Sequence, residues 1–212
     1  FKGLTDLINL YFSNNLLSNL KQGLFRDLGQ LKLLYLEYNN LEKIEKETFI
    51  GLRNVIRLKI SFNKISFIQK EAFSFLINLE EIELTNNFIK SFDCIFESID
   101  LKSIDLSNNQ LNSTRINIKN DSRKQIDLVF ALNNLASFER NWFDSFKTNV
   151  KEINLLYNKL EFIKEYYFSN FKTLRKLILS SNKISSLHKK SFQNLELLSE
   201  LYLNDNHLST ID

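Results

Sequence analysis

One pattern recurs nine times along this 212-residue chain. It reads L-x-x-L-x-L-x-x-N-x-L, with Val, Ile or Phe at some Leu slots and Gln125 opening one unit. Units start at residues 7, 31, 55, 79, 101, 125, 150, 174 and 198, so the period is 24 residues except for one interval of 22 and one of 25. Asn15, Asn39, Asn63, Asn87, Asn109, Asn133, Asn158, Asn182 and Asn206 hold one slot. Asn is abundant, with 27 in the chain, but nine chance alignments at one phase are negligible. A fixed period of 20–50 residues means an array of like units rather than a globule with unrelated parts.

Each slot has a physical reading. The x-L-x-L-x segment alternates with period 2, which predicts a short strand with two aliphatic side chains on one face. Successive strands then stack in parallel, and the inward residues merge into one continuous core. Asn follows the strand where the chain must turn inward; its amide offers two donors and an acceptor to backbone groups in a buried bend. A buried group left without a partner costs about 1–3 kcal/mol, a reason for Asn in every unit. The second half of each unit reads F-x-x-L or F-x-x-F: Phe25, Phe49, Phe73, Phe143, Phe168 and Phe192 recur, each followed three residues later by Leu28, Leu52, Leu76, Phe146, Phe171 or Leu195. Phe1 fills that slot ahead of the first unit. Spacing i, i+3 predicts a short helical turn facing the core, with the phenylalanines stacked into an outer spine. Trp142 and Tyr167, beside the Phe slot, read as packing residues.

The nine in-phase units resemble the leucine-rich repeat family, in its 24-residue extracellular class, across the whole chain. The resemblance implies an α/β, right-handed solenoid, curved like a horseshoe, spanning 1–212 as one unit. A parallel sheet would line the concave side and short helical or irregular segments the convex side. It also implies that the nine asparagines form a ladder. The family's cysteine-rich caps are missing and both end units are incomplete, so the expectation is an interior piece of a longer solenoid.

Two units depart from the pattern. The unit from 79 is two residues short; Phe96 and Ile99 refill its Phe and Leu slots, and the single cysteine, Cys94, lies in the shortened turn as a small buried hydrophobe. In the unit from 101, Lys119 and Ser122 occupy those slots, which predicts a loose outer wall after Leu111. The same stretch holds two N-x-S/T acceptors, Asn112 and Asn120, candidate glycosylation sites in a polar, outward unit.

Chemistry finds no foothold. Four glycines form no phosphate-binding loop, a lone cysteine gives neither disulfide framework nor thiolate metal site, and His188 and His207 belong to no catalytic grouping. A carboxylate pair such as Glu81 and Asp105 on a solvated sheet lacks the water-excluding pocket that acid–base work requires. The expectation is no enzyme, no metal and no cofactor. A net charge of +3, with basic residues spread along the chain, gives no case for nucleic acid. No apolar run approaches the ~18–20 residues of a membrane span.

What remains is binding. The outward strand residues read, in one column, Tyr11, Tyr35, Lys59, Glu83, Asp105, Val129, Asn154, Ile178 and Tyr202, and in the next Asn9, Leu33, Arg57, Glu81, Ser103, Asp127, Glu152, Lys176 and Glu200. The slot before the ladder Asn reads Asn14, Tyr38, Phe62, Asn86, Asn108, Leu132, Tyr157, Ser181 and Asp205. Nine strands at about 4.8 Å make a face roughly 40 Å long, enough for a protein interface of about 800 Å² per partner. Two groups stand out: aromatic Tyr11, Tyr35, Tyr38 and Phe62, bordered by Arg57 and Lys59, and an acidic band of Glu81, Glu83, Asp105, Asp127 and Glu152. A mixed solvated surface would look the same, so both readings stand. The family resemblance implies protein recognition by a cell-surface receptor or adhesion ectodomain, or by a secreted guidance or matrix protein. A structural matrix scaffold and an intracellular adaptor are the alternatives.

Overall fold

The computed structural model describes residues 1–118, 124–137 and 149–210. Nine short strands form one parallel sheet: β1 (Asn9–Tyr11), β2 (Leu33–Tyr35), β4 (Arg57–Lys59), β6 (Glu81–Glu83), β8 (Ser103–Asp105), β10 (Ile126–Val129), β11 (Val150–Asn154), β13 (Lys176–Ile178) and β15 (Glu200–Tyr202). Their order in the sheet is their order along the chain. Each coil of backbone therefore returns beside the one before it, as a solenoid requires. Every strand pairs with its neighbour one repeat away, Leu34 with Leu58 and Leu58 with Ile82, so the aliphatic residues line up. One irregularity interrupts the ladder, a register shift between Ile126 and Asp127 against Val150 and Glu152.

The core is continuous, and residues such as Leu34, Leu58, Ile82, Ile104, Leu128, Ile153 and Leu177 are shut from solvent. Opposite the sheet runs the aromatic spine: Phe1 on Phe25, Phe25 on Phe49 and Phe49 on Phe73, with centroids 6.1, 6.4 and 6.0 Å apart. Phe73 stacks on Phe96 at 5.5 Å, so Phe96 fills the slot in the shortened unit. Phe168 and Phe192 resume the stack at 6.5 Å. Trp142, Phe143 and Phe146 lie outside the described residues.

The outer wall differs from expectation in two places. The F-x-x-L segments close single turns, not helices: Leu28 N–H donates to Phe25 O at 3.0 Å, and Leu52 and Leu76 repeat the bond to Phe49 and Phe73 at 3.1 Å. A second such bond, Leu31 N–H to Leu28 O at 3.1 Å, delivers the chain straight into the next strand. These are i→i+3 bonds of single turns, and no helix occurs among the described residues.

The second difference is in the irregular unit. It is not loose over Ser113–Ile118, which forms β9 and pairs in parallel with β7 (Ser91–Phe96) over six residues. Thr114, Ile116 and Ile118 point inward against Phe92, Cys94 and Phe96. This period-2 alternation outweighs the missing Phe. Lys119 and Ser122 fall outside the described residues. Two-residue pairs bridge other coils on the flank: β3 (Lys43–Ile44) with β5 (Phe67–Ile68), and β12 (Phe162–Ile163) with β14 (Ser186–Leu187).

Candidate binding face

The ladder asparagines fix the edge of this face. Asn63 Nδ2 donates to Leu36 O of the preceding coil at 3.0 Å and to Ile60 O and Ser61 O of its own coil at 3.1 and 3.2 Å. Its Oδ1 accepts Leu41 N–H at 3.0 Å. Asn39, Asn87, Asn109, Asn133, Asn158 and Asn182 repeat this arrangement and are likewise buried. Asn206 bonds in the same way but is only partly buried. Asn15, exposed at the first coil, bonds Phe12 O and Ser13 O within its own coil.

Each amide turns inward because the residue before it adopts a left-handed backbone. Asn14, Tyr38, Phe62, Asn86, Asn108, Leu132, Tyr157, Ser181 and Asp205 all have φ between 52° and 60°. From Asn14 to Ser181 their N–H groups donate to the next coil, as Tyr38 N–H does to Ser61 O at 3.1 Å and Phe62 N–H to Thr85 O at 2.9 Å. Asn and Asp tolerate this conformation; a side chain with a bulky Cβ substituent adds about 1–2 kcal/mol of strain. Four coils carry Tyr, Phe, Leu and Tyr there regardless, and these side chains remain 50%, 43%, 49% and 55% exposed. The sequence shows the slot but not its φ, so Leu132 and Tyr157 gave no reason to be singled out; bulk at a position best suited to Asn was the available signal.

On the strands, the outward columns align: Tyr11 beside Tyr35, Tyr35 beside Lys59, Lys59 beside Glu83, Glu83 beside Asp105. The aromatic group is assembled. Tyr11 and Tyr35 meet edge to face at 5.2 Å, Tyr38 and Phe62 stack at 4.4 Å with 9° between planes, and Lys59 Nζ lies 5.5 Å above the Tyr35 ring.

The acidic band is different in kind from what its composition suggests. Arg57 grips Glu81 with two bonds, Nε to Oε2 at 2.5 Å and Nη2 to Oε1 at 3.0 Å. Lys59 pairs with Glu83 at 2.9 Å, and Lys176 with Glu152 at 3.5 Å. Opposite charges sit directly across the ladder at one-repeat spacing, so most of the band is cancelled locally. The Arg57 hydrogen bonds hold the Glu81 carboxyl below its ordinary range, the reverse of what the proton donor of a Glu81–Asp105 pair would need. Asp105 Oδ1 accepts Ser107 N–H at 2.9 Å. Asp127 is the exception: burial pushes its carboxyl above the usual range, and Oδ1 has no hydrogen-bond partner among the described residues.

Asn112 is exposed, with its N–H bonded to Lys90 O at 3.0 Å; Asn120 lies outside the described residues. Among the described residues no three His, Cys, Asp or Glu side chains converge as a metal site, and no helix is long and apolar enough to cross a membrane.

A family model described as leucine rich repeat matches residues 1–41, 30–89, 53–111 and 148–208. A search of curated proteins returned no match. Among solved structures, the leucine-rich repeat domain of APL1B superposes with a TM-score of 0.76 at 24% identity, covering 100% of this chain and 66% of that one. A chain from an octameric complex of Latrophilin 3, Unc5D and FLRT2 gives 0.63 at 22%, covering 96% of this chain and 55% of the other. A chain of the Drosophila Toll–Spatzle complex gives 0.51 at 21%, covering 96% and 34%. The chain thus spans from about a third to two thirds of the length of these structures, and at such identities the likeness establishes the fold. With its repeats matched over most of its length, the chain belongs to the leucine rich repeat family.

Proposed function

We propose that the chain recognises a protein partner on its concave face, outside the cell, as part of a receptor or adhesion ectodomain or of a secreted guidance or matrix protein. The observation that carries this reading is the aromatic group of Tyr11, Tyr35, Tyr38 and Phe62, joined across three coils and partly open to solvent. Rigid aromatic side chains bordered by Arg are the residues that anchor protein interfaces. The family gives support: solved structures of similar fold include chains in complexes with Spatzle and with Unc5D and Latrophilin 3. Arg57, Lys59, Glu81, Glu83 and Glu152 serve in this reading as a paired, orienting rim, and Asp105 and Asp127 as acids with no ion-pair partner among the described residues.

The test is a panel of secreted and membrane ectodomains screened against the chain and against a Tyr35→Ala, Tyr38→Ala, Phe62→Ala variant. A hot-spot residue costs about 2 kcal/mol or more on truncation, so the triple variant should lose at least thirtyfold in affinity for an authentic partner. Full retention of affinity would refute the assignment. A carbohydrate on exposed Asn112, and on Asn120, belongs to the same extracellular reading; peptide mass mapping with and without glycosidase decides it.

A further inference from the structure

Two apolar groups on the row of left-handed residues are not required by the fold. Tyr38 and Phe62 stack on one another, and Leu132 with Tyr157 forms a second exposed pair on adjacent coils. Asn86 and Asn108, hydrogen-bonded to each other, hold the same row between them. Core packing does not account for the bulk, because these side chains point outward and the coils with Asn keep the same backbone.

Exposed lysines stand just past the ladder amide on three coils, Lys64, Lys159 and Lys183, the last beside Ser181 and not beside an apolar residue. Just past the buried ladder amide, Phe62 is succeeded by Lys64 and Tyr157 by Lys159, both exposed. Neither forms an ion pair among the described residues, whereas Arg57, Lys59 and Lys176 on the strands are each matched to a carboxylate. Each apolar group thus has an unmatched cation two residues away along the chain. The stacked rings of Tyr38 and Phe62 occupy one another's faces and leave their rims, which carry the positive part of the ring quadrupole.

We infer that this edge of the sheet holds an extended, acidic segment of a protein partner, with two apolar side chains four to six residues apart. Phe62 and Leu132 are three strand steps apart and the centres of the two groups four, about 14–19 Å at 4.8 Å per step. An extended chain advances about 3.4 Å per residue, which sets the interval. The apolar side chains meet the two groups, carboxylates meet Lys64 and Lys159, and the amides of Asn86 and Asn108 face the backbone between. The inference rests on the protein-recognition reading but moves the contact from the strand columns to their edge.

Synthetic 14-residue peptides with two Phe at separations of two to nine in a Glu/Ser background test it, beside a Lys/Ser set and single-stranded oligouridylate. Fluorescence anisotropy is read on the whole chain and on Phe62→Asn, Tyr157→Asn, Lys64→Glu and, as a control on the exposed flank strand β5, Phe67→Ala. Asn suits the left-handed backbone, so the first two variants keep the fold. Acidic peptides with separations of four to six should bind at least about tenfold tighter than the rest. Each Asn variant and Lys64→Glu should weaken them about tenfold, and Phe67→Ala less than about twofold. Affinity independent of spacing, equal binding of the Lys set, or oligouridylate binding that survives the Asn variants would overturn the inference. Loss in Phe67→Ala alone would also overturn it, because the contact would then lie on the flank and not on this edge. If no peptide binds, the edge assignment falls, and the ectodomain panel still decides the broader reading.

Discussion

Replacing Asn63 with Ala should destabilise the solenoid by about 2–4 kcal/mol, and the hydrogen bonds show why the figure is not larger. The amide reaches four backbone groups, but three of them have a second partner. Leu36 O also accepts from Asn39, Ile60 O from Asn87, and Ser61 O from Tyr38 N–H. Leu41 N–H has Asn63 Oδ1 as its one partner among the described residues. One wholly orphaned buried donor costs about 1–3 kcal/mol, and three weakened acceptors add a fraction of a bond each. Asn15→Ala is the control, because that amide is exposed and bonds only carbonyls of its own coil; it should cost less than about 1 kcal/mol. Urea denaturation followed by circular dichroism gives the totals. Hydrogen exchange at Leu41 gives the local term, with the Ile65 amide, held by Asn87, as internal reference. Equal losses in the two variants, or unchanged protection at Leu41, would refute the reasoning.

Gly51→Ala should cost at least about 2 kcal/mol by the same denaturation assay, because φ there is 99° and an added Cβ would lie 2.5 Å from Arg26 O. Asp127→Asn should stabilise the chain at neutral pH. Burial raises the folded-state pKa of this acid, so its penalty is complete above that value and absent below the unfolded one. The gain should therefore vanish as pH falls below the ordinary aspartate range, and a gain constant with pH would refute it. Cys94 is fully buried and burial pushes its thiol far up, so a thiol reagent should label it only at the rate of unfolding; fast labelling of the native chain would contradict the packing.

The period carried nearly all of the architecture into the sequence. Leu at fixed slots places a residue inside whatever its neighbours are, so the strand register, the ladder and the spine were legible. The turns on the outer wall were not, because F-x-x-L spacing is shared by one helical turn and by the single bonded turn that forms. Ser113–Ile118 departs from the expected loose wall because the inward Thr114, Ile116, Ile118 alternation outweighs the missing Phe. On the candidate face, the columns could be written down but not their energetics. That Glu81 belongs to Arg57 and Glu83 to Lys59 depends on side-chain reach across coils, and the strain at Tyr38 and Tyr157 depends on a dihedral angle that no residue type announces.

The ring stack has a geometric consequence. Its rungs are 6.0–6.4 Å apart along Phe1, Phe25, Phe49 and Phe73, while paired strands on the opposite wall are about 4.8 Å apart. A wall that advances faster on one side must bend toward the slower side, and ring thickness thus sets the radius of the arc. Where Phe96 pairs with Ile118, the outer wall is held to the strand interval, so the arc should flatten for that step. That step is a stiff splice between two bows, and lengthening or removing it would re-aim one arm of the molecule without altering a residue on either.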